Sequence, residues 1–170
     1  MFDPAYASIF PRTTAVSGGR LSIGGRDAQE LTREFGSPLY VFDQVELRET
    51  CREYVREFTA RHADTEITYA SKAYLSRWMA AVCRDEGIGL DVVSGGELAI
   101  ALAAGFPPER CHFHGNNKGE DELREAMQAG IGRVIIDNFH ELELVDRAAR
   151  GIGRVQPIIL RLSPGVDAHT

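Results

Sequence analysis

Short apolar runs alternate with amphipathic stretches along the chain from residue 67 onward. The runs are rich in valine, isoleucine and leucine and predict strands, whereas the stretches between them have helical spacing. The predicted strands begin 22 or 23 residues apart, near Ile67, Gly89, Cys111, Arg133 and Gln156. This alternation favours parallel βα units with right-handed crossovers. The runs at 134–136 and 158–160 predict strands that are buried on both faces.

Four helices are predicted between these strands, at residues 74–86, 96–104, 120–129 and 140–150. A glycine follows each of them, and glycine commonly ends a helix in the left-handed conformation. We expect that conformation at Gly87, Gly105, Gly130 and Gly151. Ser94 and Asn138 each precede a glutamate by three residues, and this spacing predicts capping boxes at the starts of two helices.

Residues 1–66 follow a less regular pattern. Strands are predicted at 21–23 and 38–42, and helices after Asp27 and Asp43, which are acidic N-caps with a glutamate three residues later. The first helix ends near Gly36, and the second is amphipathic and extends to about residue 62. We therefore predict an N-terminal extension at residues 1–36 and a second domain at residues 37–170.

Two α/β architectures fit the repeat, a doubly wound sheet and a (β/α)8 barrel. The even period and the lack of a G-x-G-x-x-G or Walker sequence favour the barrel. A complete barrel has eight strands and typically about 250 residues, whereas this sequence of 170 residues has five predicted strands in the repeat. We therefore predict a partial (β/α)8 TIM-type barrel and expect the chain to be the first part of a longer protein.

Composition excludes several classes of partner. The sequence has 19 basic and 25 acidic residues and a net charge of −6, and it has no basic stripe that a nucleic acid would need. Its three cysteines are widely spaced and form neither a metal-binding knuckle nor a disulfide framework, which suits a reducing compartment. The longest apolar run, at residues 98–106, is too short to span a bilayer. We expect a cytoplasmic protein that binds neither nucleic acid nor membrane.

Polar residues stand at or just after the ends of the predicted strands. In a barrel these ends surround one pocket, where the chemistry takes place. The candidates are Lys72, Asp91, Ser94, His112, His114, Asp137, Arg161 and Ser163.

Lys72 carries the sharpest hypothesis. An ammonium at a strand end beside apolar neighbours can lose its proton and act as an amine nucleophile. A solvent-exposed lysine that begins a helix explains the same pattern equally well. Asp91 is expected to point inward and to need a cationic partner, which Lys72 on the neighbouring strand can supply. Arg161 lies in an otherwise apolar strand and is expected to face a carboxylate or another anion.

The other candidates have competing structural interpretations. Ser94 is interpreted as a helix cap, with an anion site at the amides of Gly95 and Gly96 as the alternative. His112 and His114 share a strand face at a spacing that binds metals in some barrels. Because no further ligands are evident, we predict no metal.

Five segments resemble the fold-type III, pyridoxal-phosphate-dependent decarboxylases, and among these the diaminopimelate decarboxylase family. Two motifs, Ser-Gly-Gly-Glu-Leu at 94–98 and His-Gly-Asn-Asn-Lys at 114–118, are specific in their order and spacing. The resemblance extends from about residue 20 to the end of the chain. It is carried by residues 35–41, 69–73, 89–98, 103–107 and 114–118.

The resemblance implies a cofactor, a reaction and site residues. Pyridoxal 5′-phosphate would be the cofactor, and Lys72 would be the catalytic residue that holds it covalently. Asp91, His114 and Arg161 would line the cofactor's pocket. The implied reaction removes carbon dioxide from an amino-acid substrate, meso-2,6-diaminoheptanedioate, and yields L-lysine in lysine biosynthesis. The full-length enzyme would be a homodimer, and residues 1–36 would pack with its C-terminal β-domain.

Several parts that the resemblance implies are not found by motif before residue 170. They are the histidine that stacks on the cofactor ring, the glycine-rich phosphate loop, the acid that pairs with the pyridine nitrogen, and the β-domain. We therefore expect little or no decarboxylase activity from this chain alone. The alternatives are a non-catalytic pyridoxal-phosphate-binding barrel protein, a related ornithine- or arginine-type decarboxylase, and a metal-dependent barrel hydrolase that uses His112 and His114.

Overall fold

The computed structural model describes residues 9–165. By its internal contacts the chain divides into two compact units, Met1–Ala63 and Asp64–Thr170. This division differs from the predicted boundary after residue 36, because the long helix that follows residue 43 belongs to the first unit. The assignment of residues 37–170 to one barrel domain stays a prediction. Within the described residues, no helix is long and apolar enough to cross a bilayer.

The first unit contains an antiparallel sheet and two helices. Turns at Gly18-Gly19 and Gly24-Gly25, with positive φ at all four glycines, connect the strands, as two-residue hairpins require. The predicted strand at 38–42 is wrong, since these residues join no sheet. The sheet has the order β1-β2-β3 and consists of β1 (Ala15–Ser17), β2 (Arg20–Ile23) and β3 (Arg26–Asp27), and the helices are α1 (Ala28–Phe35) and α2 (Gln44–Thr59).

Both predicted N-caps of the first unit are confirmed, but the reciprocal half of each capping box is replaced. The side chains of Asp27 and Asp43 each accept hydrogen bonds from two backbone N–H groups of the following turn. The carboxylate of Glu30 lies 3.4 Å from the guanidinium of Arg20, and that of Glu46 accepts a bond from the backbone N–H of Arg12 at 2.9 Å. Within residues 9–165, the aspartate is therefore the side chain that caps each helix start.

The second unit is a sheet of five parallel strands with helices between them. The strands are β4 (Thr68–Ala70), β5 (Gly89–Val92), β6 (Cys111–Phe113), β7 (Arg133–Ile136) and β8 (Ile158–Leu160). The helices are α3 (Arg77–Asp85), α4 (Gly95–Ala103), α5 (Glu120–Ala129) and α6 (Phe139–Gly151). The spatial order β4-β5-β6-β7-β8 follows the chain order, whereas a doubly wound sheet reverses it. This confirms the partial (β/α)8 barrel.

The core lies between the sheet and the helices. Leu90, Val92 and Phe113 on the central strands are fully buried, as are Leu123 and Met127 on α5. Each such side chain stabilises the fold by about 1.5–3 kcal/mol relative to an exposed one. The last strand was predicted to be buried on both faces, and this is wrong: Ile158, Ile159 and Leu160 are 39–58% exposed.

The helix ends agree with the glycine pattern at three of four positions. Gly87, Gly105 and Gly130 have positive φ values of 77°, 67° and 93°. The expectation for Gly151 is wrong, because α6 includes this residue. The left-handed position is Gly153, with φ of 66°.

A buried ion pair joins the loop after β6 to the start of α6. Lys118 Nζ lies 2.7 Å from Glu141 Oε1, with side chains only 0% and 5% exposed, and it also donates to the carbonyl of Gly115 at 2.5 Å. The other oxygen of Glu141 accepts the backbone N–H of Asp137 at 2.6 Å. Each charge is thus paired and hydrogen-bonded, which a buried ion pair needs in order to be tolerated.

A second glutamate joins the starts of α4 and α5. Glu122 accepts the backbone N–H of Gly95 at 2.7 Å through Oε1 and that of Gly119 at 3.0 Å through Oε2. These two hydrogen bonds lower the pKa of the Glu122 carboxyl below its ordinary value of 4.5, and the bond from Gly95 has the larger effect. The loops at the carboxyl ends of β5, β6 and β7 are therefore tied together by acidic side chains.

We expect Lys118→Met to lower the free energy of unfolding by about 3–5 kcal/mol, because it leaves the Glu141 carboxylate buried without its cation. Urea denaturation followed by circular dichroism measures the loss. Arg124→Met is the matched control, since Arg124 pairs with Glu120 on the surface, where the side chains are 44% and 42% exposed. That change should cost less than about 1 kcal/mol. Equal losses in the two variants would contradict the structural role of the pair.

We also expect Glu122→Gln to change how stability depends on pH. A carboxyl whose pKa is lowered by folding stabilises the folded state above its ordinary pKa of 4.5, and this contribution is lost as the pH falls through the lowered value. The difference in the free energy of unfolding between wild type and variant should therefore be largest at neutral pH and shrink in acid. Glu125→Gln on the same helix is the control, because Glu125 is exposed and no bond to it is found within residues 9–165. A difference that does not vary with pH would refute the assignment.

Candidate functional site

Lys72 lies immediately beyond the first strand of the parallel sheet. A 3-10 turn, Ser71–Ala73, follows β4 without a gap, and within it Ser71 is buried while Lys72 is exposed. The Tyr69 hydroxyl donates to the carbonyl of Tyr74 at 2.8 Å, which closes the chain over this turn. Burial raises the pKa of Tyr69, so the hydroxyl keeps its proton and remains a donor at neutral pH. The turn thus presents the lysine at the carboxyl edge of the sheet.

A cavity of about 100 Å³ at this edge brings together three of the predicted residues. It is lined by Ala70, Lys72, Asp91, Val93 and His114. Ala70 and Asp91 are paired in the register of β4 and β5, and Asp91 is paired with His112 on β6. Because alternate residues of a strand share a face, His114 lies on the same side as Asp91. The register therefore places an amine, a carboxylate and an imidazole around one cavity.

Asp91 does not form the expected ion pair with Lys72. Its Oδ2 accepts a hydrogen bond from the Thr68 hydroxyl at 3.2 Å, and its Oδ1 lies 3.5 Å from His112 Nδ1. Within residues 9–165, Lys72 has neither an ion pair nor a hydrogen bond. The amine is thus free to react with a ligand in the cavity.

The two histidines of β6 have different partners. His112 is buried, and its Nε2 lies 2.9 Å from Arg133 Nη1. The Nδ1 atom of His114 accepts the backbone N–H of Gly115 at 2.9 Å, so the neutral ring carries its proton on Nε2. Among the described residues, no group of three or more His, Cys, Asp or Glu side chains is arranged to hold a metal ion.

Asp137, Arg161 and Ser163 line a different cavity, at the ends of β7 and β8. Its volume is about 300 Å³, and Phe139 and Leu162 contribute to its apolar wall. Arg161 Nη1 lies 2.8 Å from Asp137 Oδ1, which provides the carboxylate partner expected for this arginine. Arg161 does not line the cavity of Lys72, so its role in cofactor binding stays a prediction.

Ser94 is confirmed as a helix cap. Its hydroxyl accepts the backbone N–H of Glu97 at 3.2 Å, and the Glu97 carboxylate reaches back to the N–H of Val93 at 2.7 Å. The alternative was an anion site at the backbone amides of Gly95 and Gly96. The structure disfavours it, because the N–H of Gly95 already donates to the Glu122 carboxylate.

Sequence reasoning missed the polar groups that support the site. Glu66, Thr68 and Arg133 contact Asp91 or His112 on the inner face of the sheet. The sequence does contain a pattern that indicates this network. Three predicted strands each carry a polar residue, spaced by nearly one repeat: Asp91, His112 and Arg133. Aligned polar positions of this kind indicate a shared layer inside a barrel.

Comparison with known proteins identifies the family. The sequence profile of the family described as pyridoxal-dependent decarboxylase, pyridoxal binding domain, matches residues 45–170. The chain is 46% identical over 152 residues to the diaminopimelate decarboxylase of Bacillus subtilis, covering 89% of this chain and 35% of that protein. It is 45% identical over 162 residues to the one of Bacillus methanolicus, covering 95% and 38%.

A solved structure agrees with these relatives. The crystal structure of diaminopimelate decarboxylase from M. jannaschii in complex with L-lysine superposes with a TM-score of 0.82 at 31% identity, covering 92% of this chain and 37% of that one. The chain thus spans somewhat more than a third of the length of the relatives it matches. The matched domain and the barrel-type sheet agree, and the chain belongs to the pyridoxal-dependent decarboxylase family.

Proposed function

We propose that this chain provides the cofactor-binding lysine and part of the cofactor pocket of an enzyme that decarboxylates meso-2,6-diaminoheptanedioate to L-lysine. The observation that carries the proposal is the position of Lys72, which shares a cavity with Asp91 and His114 at the carboxyl edge of a pyridoxal-binding domain. Because the chain spans 35–38% of the curated relatives named above, the activity is proposed for the whole protein.

The side chains around the cavity fit pyridoxal 5′-phosphate. The cofactor carries an aldehyde, and an exposed primary amine with no partner among the described residues is the group that condenses with it. When bound, the cofactor supplies an electron sink for the electrons released as carbon dioxide leaves.

Each lining residue has a distinct task in this proposal. Lys72 binds the aldehyde covalently through its side-chain nitrogen. The Asp91 carboxylate places a negative charge beside that nitrogen and stabilises a positive charge there. His114 directs its Nδ1 at the N–H of Gly115, so its Nε2–H is free to donate to an acceptor in the cavity.

The lysine content of the chain supports Lys72 as the reacting amine. The sequence contains two lysines, Lys72 and Lys118. The Lys118 side chain is 0% exposed and paired with Glu141 at 2.7 Å, so it is inaccessible to an aldehyde. Lys72 is therefore the lysine that an aldehyde reaches in the folded chain.

The substrate class rests on the relatives. Those named above are diaminopimelate decarboxylases, and the M. jannaschii structure holds L-lysine. This favours diaminoheptanedioate over the ornithine- and arginine-type substrates. The homodimer and the contribution of Arg161 to the pocket rest on the sequence resemblance, and the cytoplasmic location rests on composition. All three stay predictions.

We expect pyridoxal phosphate added to the chain to give a visible absorption band, and borohydride reduction to attach the cofactor to Lys72. Peptide mass spectrometry locates the attachment. Lys72→Ala should abolish both the band and the attachment, and Lys72→Arg should do the same, because it keeps the positive charge but lacks a primary amine. Attachment that persists at Lys118 or at the N-terminus in Lys72→Arg, at the wild-type level, would overturn the proposed role of Lys72.

A second expectation concerns Asp91. Asp91→Asn removes the negative charge beside the amine and should weaken pyridoxal phosphate binding about tenfold, which corresponds to about 1.4 kcal/mol. Asp85→Asn is the control, because Asp85 pairs with Arg84 on the surface of α3, away from the cavity. Fluorescence or absorbance titration measures the dissociation constants. Unchanged affinity in Asp91→Asn would remove this residue from the site.

A further inference from the structure

A network of five polar side chains continues from the cavity along the inner face of the sheet. It consists of Glu66, Thr68, Asp91, His112 and Arg133, and we call it the interior network. The interior of a (β/α)8 barrel is usually filled by branched apolar side chains. Charged side chains on the face that a barrel turns inward therefore need a reason, and their connection to the cavity suggests one.

The contacts of Arg133 decide how the His112 ring is protonated. Arg133 Nη1 lies 2.9 Å from His112 Nε2 and 2.7 Å from Glu66 Oε2. A guanidinium only donates hydrogen bonds, so Nε2 must accept, and the neutral ring then carries its proton on Nδ1. Glu66 Oε1 also approaches Nε2, but at the longer distance of 3.6 Å. The arginine is thus the nearer partner.

The protonated side of the ring faces Asp91. His112 Nδ1 lies 3.5 Å from Asp91 Oδ1, close enough for electrostatic attraction but longer than a regular hydrogen bond, and the Thr68 hydroxyl donates to Oδ2 at 3.2 Å. His112 is only 8% exposed, so its ring has little freedom to rotate away. Both oxygens of Asp91 therefore have a partner in the interior network.

We propose that His112 is a positioning residue: Arg133, itself held by Glu66, fixes the ring with its Nδ1–H toward Asp91, and this holds the Asp91 carboxylate at the cavity of Lys72. The consequence for cofactor binding rests on the proposed function. A carboxylate that is fixed before the cofactor arrives needs no reorientation when a positive charge forms beside it. His112 itself touches neither the cofactor nor the substrate in this proposal.

The first test needs no cofactor. Ring nitrogen shifts measured by 15N NMR on the cofactor-free chain distinguish the two tautomers and the doubly protonated ring. The sequence has five histidines, and the His112 signals are identified by their loss in His112→Gln. We expect Nδ1 to be protonated and Nε2 to be unprotonated. A protonated Nε2 would overturn the proposal.

The second test compares two substitutions at the same position. Asparagine places an amide near the site of Nδ1, whereas glutamine places it near the site of Nε2, and an amide N–H can donate to Asp91 only from the first. His112→Asn should keep pyridoxal phosphate affinity within about twofold of wild type, and His112→Gln should weaken it about tenfold. Equal affinities in the two variants would mean that the donor at Nδ1 has no effect, and would refute the positioning role.

Two controls keep the outcomes separate. Urea midpoints of both variants show whether a loss of affinity is a loss of folding. If His112→Gln does not fold, the His112 signals are identified by their loss in His112→Asn, and the NMR result on the wild type still decides the proposal. Wild type against Lys72→Ala shows whether the chain binds the cofactor through Lys72 at all. Failure there overturns the proposed function, whereas failure of the tautomer assignment overturns this inference alone.

Discussion

Parallel hydrogen bonding between neighbouring strands determines where the functional groups of this protein lie. A parallel pair needs a crossover connection, so the chain leaves every strand of the sheet at the same edge. The register then decides which residues face one another: Ala70 stands beside Asp91, and Asp91 beside His112. For this reason one cavity is lined by Lys72, Asp91 and His114. Along the chain, Asp91 follows Lys72 by 19 residues and His114 follows Asp91 by 23.

Acidic side chains hold that edge in place. Glu97 and Glu141 each accept the backbone N–H of the residue before the cap of their own helix, and Glu122 bridges the starts of α4 and α5. Amide groups at helix starts are attractive sites for phosphate, but the carboxylate of Glu122 occupies the N–H of Gly95. The loops of this half of the sheet are therefore stabilised by the protein's own anions, and Lys118 neutralises the most deeply buried of them.

Local signals in the sequence predicted much of this structure, and long-range contacts account for the errors. The strand positions were correct to within two residues, because a repeat of 22 residues leaves little freedom, and the caps at Asp27, Asp43, Ser94 and Asn138 depend on three-residue spacing. The prediction of a strand at 38–42 was wrong, because no other strand among the described residues pairs with this segment. Whether a pairing partner exists cannot be read from the composition of the segment itself. The sequence placed Arg161 in one pocket with Lys72, Asp91 and His114, but Arg161 lines a different cavity. The contact of Glu66 with Arg133 joins positions 67 apart and depends on the register of four strands.

The sheet has a centre and two edges, and this affects how readily its parts open. Among the described strands, β5, β6 and β7 are bonded on both sides, whereas β4 and β8 are bonded on one. Local opening costs least where few buried contacts and ladder bonds must break. Asp91 therefore stands on a strand whose opening must break ladder bonds on two sides. A ligand that enters the cavity therefore meets a carboxylate whose backbone is held by hydrogen bonds to both neighbouring strands.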